Sequence, residues 1–317
     1  MSVRLLGLSL GFIVAASCCS AQADAPRPLP ISAHNCYPEN STSTERLAEA
    51  LGLGIDNIEI DLGWDEAGAR LIVGHDVAPR SGVAYPDLES YLVPLLEAHW
   101  RKPRQDGAPR VLTIDWKTDQ KAAVQTFKAF LDSHPDWFTS ATKAVGSRLV
   151  PRRVTVCFSG SDRAKDLYDE LVPAGAEYRA FRDTVFGAGG GIRGDVTAYA
   201  PAAATVYHRF LAFHWGHVER GGPALAGEWT ADEAARLKAL IEHVHRQGFR
   251  VRFYTLNGHT GAPGGSYRFG TDAAVRIRWL AASAAGADWV ATDEYAAIVR
   301  TLLQPVQPGN LAPSGPK

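Results

Sequence analysis

Apolar and polar residues alternate through NIEIDL, residues 57–62: Ile58, Ile60 and Leu62 take one face of an extended chain, and Asn57, Glu59 and Asp61 take the other. Further β-like runs follow or precede it: PISAH (30–34), LIVGHD (71–76), VLTIDWK (111–117), VTVCFS (154–159), EYRAF (177–181), TVYHRFLAF (205–213), RVRFYTL (250–256) and DWVATD (288–293). Helical patterns lie between them, at roughly 44–52, 87–99, 120–132, 162–171, 231–247 and 272–285. In the first of these, Thr42 with Glu45 reads as a capping box, Leu47 and Leu51 stack one turn apart, and Gly52 and Gly54 close the helix. The helix at 231–247 starts after Thr230, carries Ala234, Leu237, Leu240 and Ile241 on one side, and stops at Gly248. Strands alternating with helices predict a parallel sheet with helical crossovers. About eight strands over roughly 280 residues predict an α/β protein of the (β/α)8 TIM-barrel type. A single domain over 24–303 is expected, followed by a Pro- and Gly-rich tail at 304–317 that frays.

Composition narrows the partners. With 317 residues, 46% hydrophobic and 21% charged, the chain is ordinary folded material. A formal net charge of −1 provides no global basic field to recruit nucleic acid or an anionic membrane. Any phosphate must be met locally. Residues 1–23 read as an export signal: Arg4, the apolar LLGLSLGFIVAA and an Ala21-Gln22-Ala23 cleavage site predict a periplasmic or secreted protein. Lipidation at Cys18 is the rival processing event, and simple cleavage fits the segment better. Cleavage after Ala23 leaves Cys36 and Cys157, expected as isolated, partly buried thiols, since neither belongs to a C-x-x-C or C-x-H cluster.

In a barrel of this type the chemistry sits at the C-terminal ends of the strands. The polar residues there are His34, Glu59 with Asp61, His75 with Asp76, Asp115 with Lys117, Ser159, Asn257 and Asp293. Residues two apart on a strand lie roughly 6.5–7 Å apart on one face. Two carboxylates so placed in a partly buried space repel unless something positive stands between them. Alone, the Glu59–Asp61 pair fits a helix cap or a rim salt bridge better than a metal. VLTIDWK changes that balance, because it puts Asp115 and Lys117 on the face opposite Leu112, Ile114 and Trp116. Glu59, Asp61 and Asp115 then make a site for one divalent cation, Mg2+ or Ca2+, with Lys117 above it for an anionic oxygen. His34 and His75 beside these acids supply a general acid and a general base, with neighbouring carboxylates expected to raise imidazole pKa values.

These residues resemble the glycerophosphodiester phosphodiesterase signature. His34 ends the first strand, Pro38-Glu39-Asn40 and a helix follow, Gly54 to Asp61 reads Gly-x-Asp-x-x-Glu-x-Asp, and His75-Asp76 closes the segment. VRFYTLN (251–257) and GADWVATDEYAAI (286–298) resemble the last two strands of the same superfamily. The family usually places arginine after the first histidine, where this chain has Asn35. Its third acidic ligand is usually glutamate, whereas Asp115-x-Lys117 here is similar to the sphingomyelinase D branch. The resemblance implies a metal-dependent phosphodiesterase that cleaves a phospholipid-derived diester or lipid headgroup, with Asn35 and Lys117 at the phosphate. Attack by water gives hydrolysis, and attack by a substrate hydroxyl gives a cyclic phosphate.

Other features carry less. FHWGH (213–217) offers Trp215 as a wall for a headgroup, equally readable as rim packing. GGGIRG (189–194) lacks the helix and acid that a dinucleotide site needs, and Arg193 within it reads as solvated. His243 and His245 read as surface residues. The absence of G-x-S-x-G weighs against a serine hydrolase of the α/β type. A silent phospho-ligand-binding barrel would not need both histidines, and a glycoside hydrolase using Glu59 and Asp115 would not need Asp61 and Lys117 beside them. A monomer is expected, and a lipid substrate would bring transient contact with a membrane surface.

Overall fold

The computed structural model describes residues 29–38, 41–104, 106–188, 192, 194–259 and 267–304. The export signal, Cys18, Glu39-Asn40, most of GGGIRG and nearly all of the tail lie outside these residues. Eight parallel strands close into a ring: β1 (Ile31–Ala33), β2 (Asn57–Asp65), β3 (Arg110–Trp116), β4 (Val154–Gly160), β5 (Ala180–Phe186), β6 (His208–His214), β7 (Arg250–Tyr254) and β8 (Trp289–Thr292). Neighbours in sequence are neighbours in the sheet, and β1 pairs in parallel with both β2 and β8, which abolishes the edges. Outside the ring run α1 (Glu45–Gly52), α2 (Leu88–Trp100), α3 (Lys121–Ser133), α4 (Asp162–Leu171), α5 (Ala231–Arg246), α6 (Asp272–Ala284) and α7 (Tyr295–Leu303). Among the described residues the β5–β6 connection carries a 3-10 turn, Val196–Tyr199, where the others carry helices. No helix of the described residues is long and apolar enough to cross a membrane.

The alternation in NIEIDL works as the periodicity predicts. Ile58, Ile60 and Leu62 are fully buried under the helices, as are Leu112 and Ile114 on β3 and Val156 and Phe158 on β4. Trp116 packs at 5.3 Å centroid distance against both Phe127 of α3 and Phe158 of β4, which fixes α3 over this part of the sheet. The other faces of these strands point into the barrel, so the acids of β2 have no route to solvent except through its mouth.

Several elements depart from the pattern. LIVGHD forms a strand at Arg70–Val73, but it pairs antiparallel with the extended end of β2, with Leu62 opposite Val73 and Asp65 opposite Arg70. It is a hairpin rather than a barrel strand. The hairpin folds tightly because Gly63 is bare: a Cβ there would lie 2.1 Å from the Asp76 carbonyl oxygen. EYRAF splits, Glu177–Tyr178 pairing with Ala141–Thr142 outside the barrel before β5 begins at Ala180. The Thr42–Glu45 capping box does not form. Thr44 is the N-cap of α1 without a side-chain bond, and the Ser43 hydroxyl takes the Glu45 N–H instead. A capping box is present at α5, where Thr230 and Glu233 cap each other. His243 is buried rather than exposed, its Nε2 bonded to the Ala200 carbonyl. Cys36 and Cys157 are both buried and unpaired, and burial pushes the Cys36 thiol up to about 12.

Candidate active site

β2 and β3 lie in register, Asp61 beside Asp115 and Glu59 beside Thr113. Adjacent parallel residues in register point the same way, so the acids of the two strands meet on the inner face. One ligand oxygen from each of Glu59, Asp61 and Asp115 falls within 4.8 Å of the others. Lys117 bridges two of them, its Nζ 3.1 Å from Asp61 Oδ2 and 2.7 Å from Asp115 Oδ2. Asp61 is 1% exposed, and its Oδ1 has no hydrogen-bond partner among the described residues. Burial first, and the Asp115 charge second, push its carboxyl up to about 7, against the pull of Lys117. Lys117 is held above its ordinary value: burial opposes the charge, but Asp61 and Asp115 more than offset it.

These residues line one side of a cavity of about 680 Å3 at the C-terminal ends of the strands, with His34, Asn35, Tyr37, His75, Ser159, Arg252, Tyr254, Asn257, Arg268 and Asp293 around the rest. His34 follows the last residue of β1. Its Nδ1 donates to Asp293 Oδ1 at 2.9 Å, which leaves Nε2 toward the acids, 3.7 Å from Glu59 Oε1. Asp293 follows β8 and is held below the usual carboxylate range: burial works against this, and the His34 bond, Arg46 and Arg268 outweigh it. Arg46 of α1 binds the carbonyls of His34 and Asn35 and the Tyr295 hydroxyl, and so clamps the loop after β1 against α7. Asn35 has φ +53°, a left-handed conformation that asparagine tolerates better than most residues. Its amide donates to Asp293 and its carbonyl accepts from Tyr37, so the side chain is tied to the wall.

His75 stands exposed at the cavity, brought there by the hairpin on β2, whose Gly74 N–H donates to the Asp61 carbonyl at 3.0 Å. Its pKa is lowered, against the expected direction. The covered part of the ring is desolvated, and Lys117 adds a like charge that the nearby acids do not cancel. The shift favours the neutral form of the His75 imidazole.

The structure adds a residue that the alternation in the sequence did not single out. Arg252 of β7 points into the barrel below the acids, where its guanidinium binds Glu59 and donates through Nε to Ser32 Oγ at 3.1 Å. Burial draws its pKa down to about 10, still charged at neutral pH. The residue was legible in principle: RVRFY places Arg252 on the inward face for the same reason that NIEIDL places Glu59 there. Trp215 is a correction. It is fully buried beneath the mouth, stacked on Trp229 with its Nε1 bonded to Glu219, and does not line the cavity. Among the positions that shape the cavity, Gly160 has φ +76°, and a Cβ would fall 2.4 Å from Asp115 Oδ1 and 2.4 Å from the Trp116 nitrogen. Gly160→Ala is expected to cost about 1–3 kcal/mol in strain and displacement, read by urea unfolding. Wild-type stability in that variant would show that the Asp115 side chain and the Trp116 backbone both give way freely.

No family model matches the sequence. No curated protein matches it either. Solved structures do. An Oleispira antarctica phosphodiesterase, in complex with the product sn-glycerol-3-phosphate, superimposes with a TM-score of 0.51 at 13% identity, covering 86% of this chain and 96% of the other. A Silicibacter pomeroyi protein, provisionally assigned as a glycerophosphoryl diester phosphodiesterase, gives 0.51 at 13% identity, covering 88% and 94%. At such identity the likeness establishes a shared barrel fold.

Proposed function

We propose that this chain is a divalent-cation-dependent phosphodiesterase acting on glycerophosphodiester-type substrates. One observation carries the reading: two histidines, three carboxylates and a lysine converge in a single cavity at the catalytic end of a barrel. The fold shared with phosphodiesterases, one of them holding sn-glycerol-3-phosphate, supports the same class of substrate.

The acids fit a cation. Two oxygens bound to Ca2+ can lie up to about 4.6–5.2 Å apart, and two bound to Mg2+ up to about 4.2 Å; the three carboxylate oxygens, all within 4.8 Å of one another, fit the first as they stand and the second after a small inward shift. The orphaned, buried Asp61 Oδ1 is an acceptor in need of a positive partner. Glu59, Asp61 and Asp115 would hold the ion. When bound, it supplies positive charge to the phosphate's non-bridging oxygens as charge develops on them. The donor set of carboxylates suits Mg2+ or Ca2+ over softer metals.

The protein's own groups do the rest. Neutral His75 takes the proton of the attacking hydroxyl, from water or from the substrate itself. His34, oriented by the ionised Asp293 on its Nδ1, delivers a proton from Nε2 to the leaving alcohol. Lys117 spends two of its three N–H groups on Asp61 and Asp115 and offers the third to phosphate. The export signal read at residues 1–23 would place this activity outside the cytoplasm.

Purified protein is expected to hydrolyse bis-p-nitrophenyl phosphate and glycerophosphocholine with Mg2+ or Ca2+, and to lose at least 100-fold in rate with EDTA. Sugar release indifferent to EDTA, or tight diester binding without turnover in any metal, would reject the reading.

A further inference from the structure

The cavity does not end at Asp293. It opens beside Asn35 into an adjoining cavity of about 390 Å3, formed with Ser41, Ser43 and Arg46, and the two share Asn35, Tyr37, Arg268 and Asp293. Arg268 thus stands at the junction. A phosphodiester has one geometric need at such a place: its phosphorus is where two ester arms meet, so a diester lying across both cavities puts its anionic group beside the junction.

The cations around the main cavity differ in what they have left to give. Arg252 is buried and bound to Glu59 and Ser32. Lys117 holds Asp61 and Asp115. Asn35, after His34, carries no charge, and its amide is bound to Asp293. Arg268 is anchored by Nη1 alone, to the Asn257 carbonyl at 2.7 Å and to Glu294 at 3.4 Å. Its Nε and Nη2 make no contact with an acceptor among the described residues, and its side chain is 24% exposed. A guanidinium held at one corner, with its Nε and Nη2 edge open, has the fork that two phosphate oxygens fit.

We infer that Arg268, from the segment after β7, is the guanidinium that binds the substrate phosphate. The inference rests on the phosphodiesterase reading. It is tested by steady-state kinetics on bis-p-nitrophenyl phosphate and by calorimetric binding of sn-glycerol 3-phosphate to the full chain with saturating Mg2+. Arg268→Gln is expected to raise KM and the phosphate monoester Kd by roughly 10–100-fold, with kcat changed less than about threefold. Arg268→Lys restores part of the affinity, and millimolar free guanidinium restores binding to the Gln variant but not to the Lys variant. A merely structural arginine would not answer to free guanidinium. An active wild-type protein whose Arg268→Gln and Arg268→Lys variants both keep wild-type KM and Kd would overturn the role of Arg268 alone. A wild-type protein that neither turns over the diester nor binds the monoester would overturn the underlying reading, and this role with it.

Discussion

A His75→Ala variant is expected to lose about 10²–10⁴-fold in kcat for diester cleavage at neutral pH, the range of a positioned general base. Its thermal unfolding should be nearly unchanged, because His75 is exposed and its ring supports no core contact. The pH profile gives the sharper test. Since the folded protein holds the His75 pKa below the ordinary imidazole value, the base is neutral over more of the acidic range, and the rate falls only as pH drops through that lowered value. Lys117→Met removes one of the charges that lower it. In that variant the acidic limb of kcat/KM should move to higher pH, on top of a loss in phosphate affinity. If His75→Ala kept the wild-type kcat between about pH 5 and 8, this imidazole would have no part in proton transfer.

Much of this was readable in the residues because a strand has a period of two. Once Glu59, Asp61 and Asp115 are assigned to strands, their meeting follows from parallel register, and the pairing of Asp61 with Asp115 shows it. The histidines were legible for the same reason, as polar residues closing apolar runs. What failed lies where the chain leaves a strand. Trp215 follows β6, and a 3-10 turn of Trp215–His217 tucks the indole inward, a rotation that no periodicity records. His75 follows a strand, as the pattern predicts, yet that strand is one arm of a hairpin made by an ill-signalled turn, DEAGA, and by the bare Gly63. The His75 pKa takes the opposite direction because sequence shows the acids but not the desolvation of the ring, which together with Lys117 outweighs them. Asp293 is legible as a polar strand-end residue, but its bond to His34, 259 positions away, is not, and Arg268 lies outside any strand pattern. Arg252 was missed for another reason. A charged residue facing the barrel interior is as informative on β7 as on β2, but Arg252 lies mid-strand, short of the strand end where the site residues are sought.

Arg252 sets the second large effect, because a divalent cation held by Glu59 would have to compete with it for the same carboxylate. In Arg252→Met the chain keeps a buried Glu59 without its guanidinium, and stripping one partner from a buried pair costs about 3–5 kcal/mol. Measured by urea unfolding in EDTA, the loss should approach that value. Glu59→Gln in the same background should recover a large part of it, since the orphan is then an amide rather than an anion. Divalent cation should also recover it. A ligand that binds only the folded state adds about 2.7 kcal/mol at a hundred times its Kd, and without Arg252 both oxygens of Glu59 are available to the ion. Mg2+ or Ca2+ should therefore bind the variant more tightly than the wild type and raise its stability by more. A cation that stabilises wild type and Arg252→Met equally would show that Glu59 is not among its ligands. That result would leave Asp61 and Asp115 as the remaining carboxylates for the ion, with Arg252 and Glu59 forming a structural pair beneath them.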